Sequence, residues 1–253
     1  TAIGSPSGPL TAAPGGRDLQ GEVAAAFRAH SDRAILGLFG GNLLEVGQFL
    51  FRNDGFFMLL ASEPKRAHAF LDRLVEIHMG NLEAFLGSVG PSIDIIVFGD
   101  DLGMQDGPQI SPAMYREFFK PRHAALWGRA KELAPVKVML HSCGSLRALL
   151  PDLIDAGLDA ANPVQVNTAG MDLAGLKRDF GARLTLWGGG CDTRNVLPRA
   201  TPAEVAAHVR QQVAVGRAGG GFVFQQVHNI LADVPPENVV AMLDAVNGAP
   251  ESA

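Results

Sequence analysis

The 253-residue sequence contains no apolar run approaching the ~18 residues that a membrane span needs. It also lacks a polybasic run, and its formal net charge is −5. Neither an anionic membrane surface nor a nucleic acid is therefore an expected partner. Cysteine is scarce. Two thiols cannot build a disulfide framework, so a reducing, cytoplasmic compartment is the plain expectation. The first residues show no charged start followed by an apolar stretch, so no signal peptide is read there. They are rich in Pro, Gly, Ser and Thr, and residues 1–17 are expected to form a flexible lead-in. Internal repeats and interdomain linkers are absent as well. Gly188–Gly190 and Gly219–Gly221 lack Walker or dinucleotide spacing, so they read as backbone freedom beside a site, not as phosphate cradles.

What is present describes a globular protein with a large core, since 47% of residues are apolar and 19% charged. At this length residues 18–248 suit one domain. Strand and helix signals alternate, which is the pattern of a parallel sheet wrapped by helices. Six strand-like runs stand out: Ala34–Phe39, Ile93–Phe98, Val136–Leu140, Leu158–Val164, Leu184–Trp187 and Phe222–Val227. Helix starts are legible between them. Thr201-Pro202-Ala203-Glu204 carries the parts of a capping box, and Ser111-Pro112 opens another helix that Pro121 should kink or break. Pro64–Val89 places Phe70, Leu71, Leu74, Ile77, Leu82 and Phe85 mostly on one face. Asp172 can cap a short helix that Gly181 ends. The fold expected is α/β, a (β/α)8 TIM-type barrel. Eight strands close such a barrel, so either two are hidden or part of the N-terminal region lies outside this sequence.

The reactive side chains follow the strand ends. Asp100 and Asp101 come after the second run, His141 and Cys143 after the third, and Gln165 after the fourth. Cys191 follows the fifth and His228 the sixth. In a parallel barrel these loops open on one face, so residues distant in sequence converge. An imidazole and a thiolate two residues apart at a strand end can grip one ion, and zinc accepts that N/S mixture while leaving a position open for substrate. Cys191 or His228 could complete the set. A bland alternative stands beside this: cysteine is often a small buried hydrophobe, and a histidine can merely cap a loop. Asp100 and Asp101 could act as general acid or base, because close like charges raise one pKa, or one could cap a loop while the other is solvated. His30, His68, His78, His123 and His208 fall on predicted helices and are expected in surface or core roles.

Several motifs in order resemble the uroporphyrinogen decarboxylase superfamily. They are Phe98-Gly99-Asp100-Asp101-Leu102-Gly103, Ile110-Ser111-Pro112, Phe118-Phe119-Lys120-Pro121, His141-Ser142-Cys143-Gly144 and Leu150-Pro151-Asp152-Leu153-Ile154. Asn162-Pro163-Val164-Gln165, Gly189-Gly190-Cys191-Asp192-Thr193 and His228-Asn229-Ile230 complete the series, which spans most of residues 33–246. The resemblance implies the barrel, and it implies one of two chemistries. In one branch, methyltransferases move methyl groups between small molecules, thiols and a corrinoid protein, often with zinc held by a His-x-Cys pair and a later Cys. His141 and Cys143 match that branch, while His228 stands where the later Cys is expected and Cys191 sits one strand earlier. The other branch decarboxylates porphyrinogens without metal or cofactor. There Asp100 or Asp101 would be the acid, with His228, Arg147 and Arg194 holding carboxylates. Its arginine-rich N-terminal motif is not seen here.

The methyltransferase branch is the leading expectation, with metal ligands drawn from His141, Cys143, Cys191 and His228. Asp100, Asp101 and His228 are the catalytic candidates, and Gln165, Asn162 and Arg194 are expected at the substrate. Having no Asp-x-His-x-x-Gly motif, the chain would meet its corrinoid on a partner protein. A homodimer and a non-catalytic ligand binder are carried as further readings.

Overall fold

The computed structural model describes residues 2–4 and 19–248. The lead-in expected over residues 1–17 therefore falls mostly outside the described residues, although Ala2–Gly4 within it forms a strand, β1. The other strands are β2 (Leu36–Gly40), β3 (Ile95–Gly99), β4 (Lys137–His141), β5 (Ala160–Asn162), β6 (Thr185–Trp187) and β7 (Phe222–Val223). Each of the six expected runs overlaps one of them: β2, β3 and β4 reach one residue past the expected end, while β5, β6 and β7 lie within their runs. β1 is the addition, making seven strands among the described residues. With helices alternating between them, the class is α/β of the TIM-barrel type.

The chain divides into two compact units. The first comprises residues 1–101, 110–141 and 152–159. In it β1 pairs with β2, β2 with β3 and β3 with β4, all parallel and in chain order. β3 is buried along most of its length, which explains its nearly unbroken run of apolar residues. Phe56, Phe85, Phe98, Tyr115, Phe119 and Trp127 are its large fully buried side chains. The long helix Pro64–Val89 has the expected bounds and buries Leu71, Leu74, Leu82 and Phe85. Ile77 departs from that face: it is 47% exposed. Ser111 caps the next helix by accepting from the Met114 N–H, and a π-helical stretch, Tyr115–Phe119, follows. Pro121 then lies in the first turn of Lys120–Leu133, where its missing N–H costs nothing.

The second unit comprises residues 102–109, 142–151 and 160–253. Here β5 pairs with β6 and β6 with β7, again parallel. Its core joins Cys191, Leu197, Val205, Val209, Val213, Met242 and Ala245. The helix Pro202–Arg217 begins with the complete capping box of Thr201 and Glu204. Asp172 caps Leu173–Phe180 through the Gly175 N–H, and Gly181 closes it.

Candidate metal centre

The chain passes from β4 into the second unit at His141-Ser142, and Cys143 follows at once. The backbone there is set by a close approach of two glycines. A Cβ on Gly144, whose φ is +86°, would come within 2.4 Å of the Gly103 carbonyl carbon, and one on Gly103 within 2.5 Å of the Cys143 oxygen. No residue with a side chain fits either place. The Gly144 N–H donates to Gln165 Oε1 at 2.7 Å, and the Ser145 N–H to the Met104 oxygen at 2.8 Å. Cys143 is thereby held with its thiol half-exposed.

His228 lies five residues beyond β7 in an exposed loop and adopts a left-handed backbone, φ 55°. The Gln226 side-chain amide donates to its carbonyl at 2.9 Å, and Thr193 Oγ donates to the Val227 oxygen at 2.6 Å. The sulfur of Cys143 and ring nitrogens of His228 and His141 all lie within 4.8 Å of one another. Around a tetrahedral zinc ion such donors stand roughly 3.3–3.6 Å apart, so a small inward rotation of the side chains would complete the geometry. One sulfur and two imidazole nitrogens are a donor set zinc accepts, and three protein ligands leave its fourth position open.

Cys191 does not join them. It is fully buried in the second unit's core, and burial pushes its thiol up to about 12, with Asp192 adding to the effect. Of the two alternatives left open for the third donor, the geometry assembles His228.

Cys143 and His228 open on a cavity of about 490 Å³ in the second unit. Gln165 and Arg194, both expected at the substrate, line it as well. Asn162 does not. It is 7% exposed, and its side-chain amide is spent on the Trp187 oxygen and on Gln225 Oε1. Arg194 is braced by Gln105, its guanidinium donating to Oε1 at 2.9 Å. Beneath the cavity Asp192 anchors the loop after β6. Burial alone would raise its pKa, but donors from Asn167 and from the Arg194 and Asn195 backbones hold it below the ordinary carboxylate value. Its own N–H donates to His208 Nε2 at 3.3 Å.

Asp100 and Asp101 have other surroundings, in the first unit. Asp100 is fully buried, and its carboxylate accepts from the Leu44 and Glu45 N–H groups at 2.9 and 3.0 Å. It thus caps the helix Leu44–Phe51, for which no side chain of the adjoining Leu43 provides a cap. His123, 3.6 Å away, is sealed beside it, hydrogen-bonded to Tyr115 and stacked on Trp127. Asp101 is half-buried, and its N–H donates to Glu45 Oε2. The Asp100-Asp101 pair is therefore split, one member capping and the other half-open.

The sequence offered no sign of Glu45, whose carboxyl burial raises above its ordinary value despite hydrogen bonds from Asn42 and Asp101. Nor did it mark Arg199, Asp233 or Asn167, which line the cavity. All three lie on irregular segments with no residue spacing to identify them. His30 is exposed, and His68, His78, His123 and His208 lie on helices in partly buried or buried positions. Gly188 and Gly189, and Gly219–Gly221, have the positive φ angles that backbone freedom supplies.

Residues 52–249 match the family model for uroporphyrinogen decarboxylase (URO-D). The chain belongs to the uroporphyrinogen decarboxylase family. A relative named uroporphyrinogen decarboxylase, from Psychromonas ingrahamii, is 29% identical over 191 residues, covering 73% of this chain and 49% of its own. The chain thus spans about half the length of the curated relative it matches. Among solved structures, a methyltransferase from Methanosarcina mazei superposes with a TM-score of 0.68 at 21% identity, covering 92% of this chain and 64% of the other. An endo-1,4-beta-xylanase from Penicillium canescens reaches 0.52 at 14% identity, over 93% and 81%. At such identities the likeness is one of fold.

Proposed function

We propose that this member of the uroporphyrinogen decarboxylase family is a zinc-assisted methyltransferase, moving a methyl group between a thiol or other small molecule and a corrinoid carried by a partner protein. The observation that carries the proposal is the meeting of His141, Cys143 and His228, one sulfur and two imidazoles of the kind a catalytic zinc accepts. When bound, zinc supplies a Lewis acid that holds a substrate thiol as the nucleophilic thiolate at neutral pH. His141 and His228 would contribute neutral imidazoles and Cys143 a thiolate. Gln165 and Asp192 keep the surrounding loops in place, the first on the Gly144 N–H and the second on Asn167 and Arg194. Arg194, braced by Gln105, stands where it can orient a substrate.

The second reading, cofactor-free decarboxylation of a porphyrinogen, is favoured by the name of the Psychromonas relative. Of its two aspartate candidates, Asp100 is enclosed and engaged in capping, which leaves that reading the half-buried Asp101 alone. Metal analysis of protein purified without chelator separates the two. About one zinc per chain, lost in Cys143→Ala and retained in Cys191→Ala, is the expected result. Metal-free protein that decarboxylates uroporphyrinogen would overturn the proposal.

A further inference from the structure

The cavity beside Cys143 and His228 carries two charges that nothing in the described chain satisfies. Arg199 and Asp233 both line it, and among the described residues neither makes a hydrogen bond or ion pair through its side chain, with each other or with any neighbour. The contrast with other charged groups of the second unit is informative. Arg194 is engaged by Gln105, Arg147 and Arg178 by Asp179, and the Asp192 carboxylate by three residues. Opposite charges that share a small cavity without pairing leave room for a ligand between them.

Their mountings are also fixed. Asn238, 1% exposed, donates through its side-chain amide to the Leu197 and Ala200 oxygens, both at 2.8 Å. These carbonyls flank Arg199, so the backbone bearing its guanidinium is clamped from both sides. Asn238 itself sits in the first turn of the helix Pro236–Asn247, which follows directly on Asp233-Val234-Pro235. Val234 is buried, and its N–H closes a turn onto the Leu231 oxygen at 3.2 Å. One buried amide thus ties the segment carrying the cation to the segment carrying the anion. The backbone under each charge is thus fixed, so a ligand has only the two side chains to order. Pro198, Val227 and Leu231 supply apolar wall between them.

We infer that the cavity receives a zwitterionic small molecule, its carboxylate on Arg199 and its ammonium group on Asp233. This deepens the function proposed above and rests on it for one point: the third arm of the ligand, directed at Cys143 and His228, would be a thiol. A volume of about 490 Å³ lies in the lower half of the range for small-molecule pockets and suits an amino-acid-sized ligand.

The test is calorimetric titration of the zinc-supplemented chain with four probes that differ by one group each. L-Cysteine has all three groups, 3-mercaptopropionate lacks the ammonium, cysteamine lacks the carboxylate, and L-serine replaces the thiol. L-Cysteine should bind about two- to fivefold more tightly than either partial thiol, the worth of one exposed charge pair. Arg199→Gln should bring L-cysteine level with cysteamine, and Asp233→Asn should bring it level with 3-mercaptopropionate. Both positions are exposed, and circular dichroism would confirm that the variants fold. Equal binding of the three thiols, no binding of any probe, or folded variants that keep full discrimination would each overturn the inference. If L-serine matches L-cysteine while the two charge variants act as stated, the zwitterion site stands and the metal reading falls.

Discussion

Asp100 and Cys143 both follow the C-terminal end of a strand, where parallel α/β folds keep their chemistry, yet they have opposite fates. Asp100, in the first unit, is fully buried and its two oxygens accept from the first N–H groups of a neighbouring helix. Cys143, in the second, is half-exposed on a cavity, with two imidazoles within 4.8 Å of its sulfur. The two cysteines repeat the contrast inside a single unit, since Cys191 is sunk in the core. Being placed at a strand end brings a side chain to the reactive face. Whether it is free to react depends on what the adjoining backbone demands of it.

The sharpest way to break this comparison is Asp100→Ala. If the carboxylate is structural, its loss strands two N–H groups, one buried and one partly buried, at the start of Leu44–Phe51. At about 1–3 kcal/mol for each unsatisfied donor, unfolding in urea should show a loss of about 3 kcal/mol. Zinc content of the folded fraction should stay unchanged. A variant as stable as the parent but inactive would restore Asp100 to the catalytic candidates.

The same contrast explains what could be read from the sequence. All six expected strands exist, and the helix Pro64–Val89 and the caps at Asp172 and Thr201 match, because apolar runs and capping residues act over a few neighbouring positions. His141-Ser142-Cys143 was legible for the same reason, being local. The choice between Cys191 and His228 was not. Both follow strands at similar distances, and only packing distinguishes a cysteine enclosed by Leu197 and Val205 from a histidine in an exposed loop. Asp100 was equally opaque: its partners lie 55 and 56 residues away, beyond any local pattern. Arg199 and Asp233 matter through the partners they lack, which no sequence spacing records.

A smaller effect tests Cys191. Its thiol, ordinarily near 9.0, is pushed up to about 12 by burial and by Asp192. The native state therefore favours the protonated form. That contribution is complete below the ordinary thiol value and is lost as pH rises toward about 12, because the unfolded chain ionises first. Cys191→Ala should cost about 1–2 kcal/mol at neutral pH and should flatten the fall in stability between about pH 9 and 12. In the metal-free parent at pH 8, a disulfide thiol reagent should find one reactive thiol, Cys143, until the chain is unfolded. Two fast thiols would show that the cysteines are not divided as core and site.

The smallest change expected has the opposite sign. His228 holds a left-handed backbone at φ 55°, a conformation that costs an L-residue roughly 1–2 kcal/mol and costs glycine almost none. Glycine also gives the unfolded chain more freedom, which returns about 0.4–1 kcal/mol of that difference. His228→Gly should therefore leave the protein as stable as the parent or up to about 1 kcal/mol more stable, while zinc bound per chain falls. A residue kept at a strained position, where glycine would be easier, is held there by what its side chain does. Should His228→Gly destabilise the fold and spare the metal, the imidazole would be a structural group like Asp100, and the open site would be reduced to His141 and Cys143.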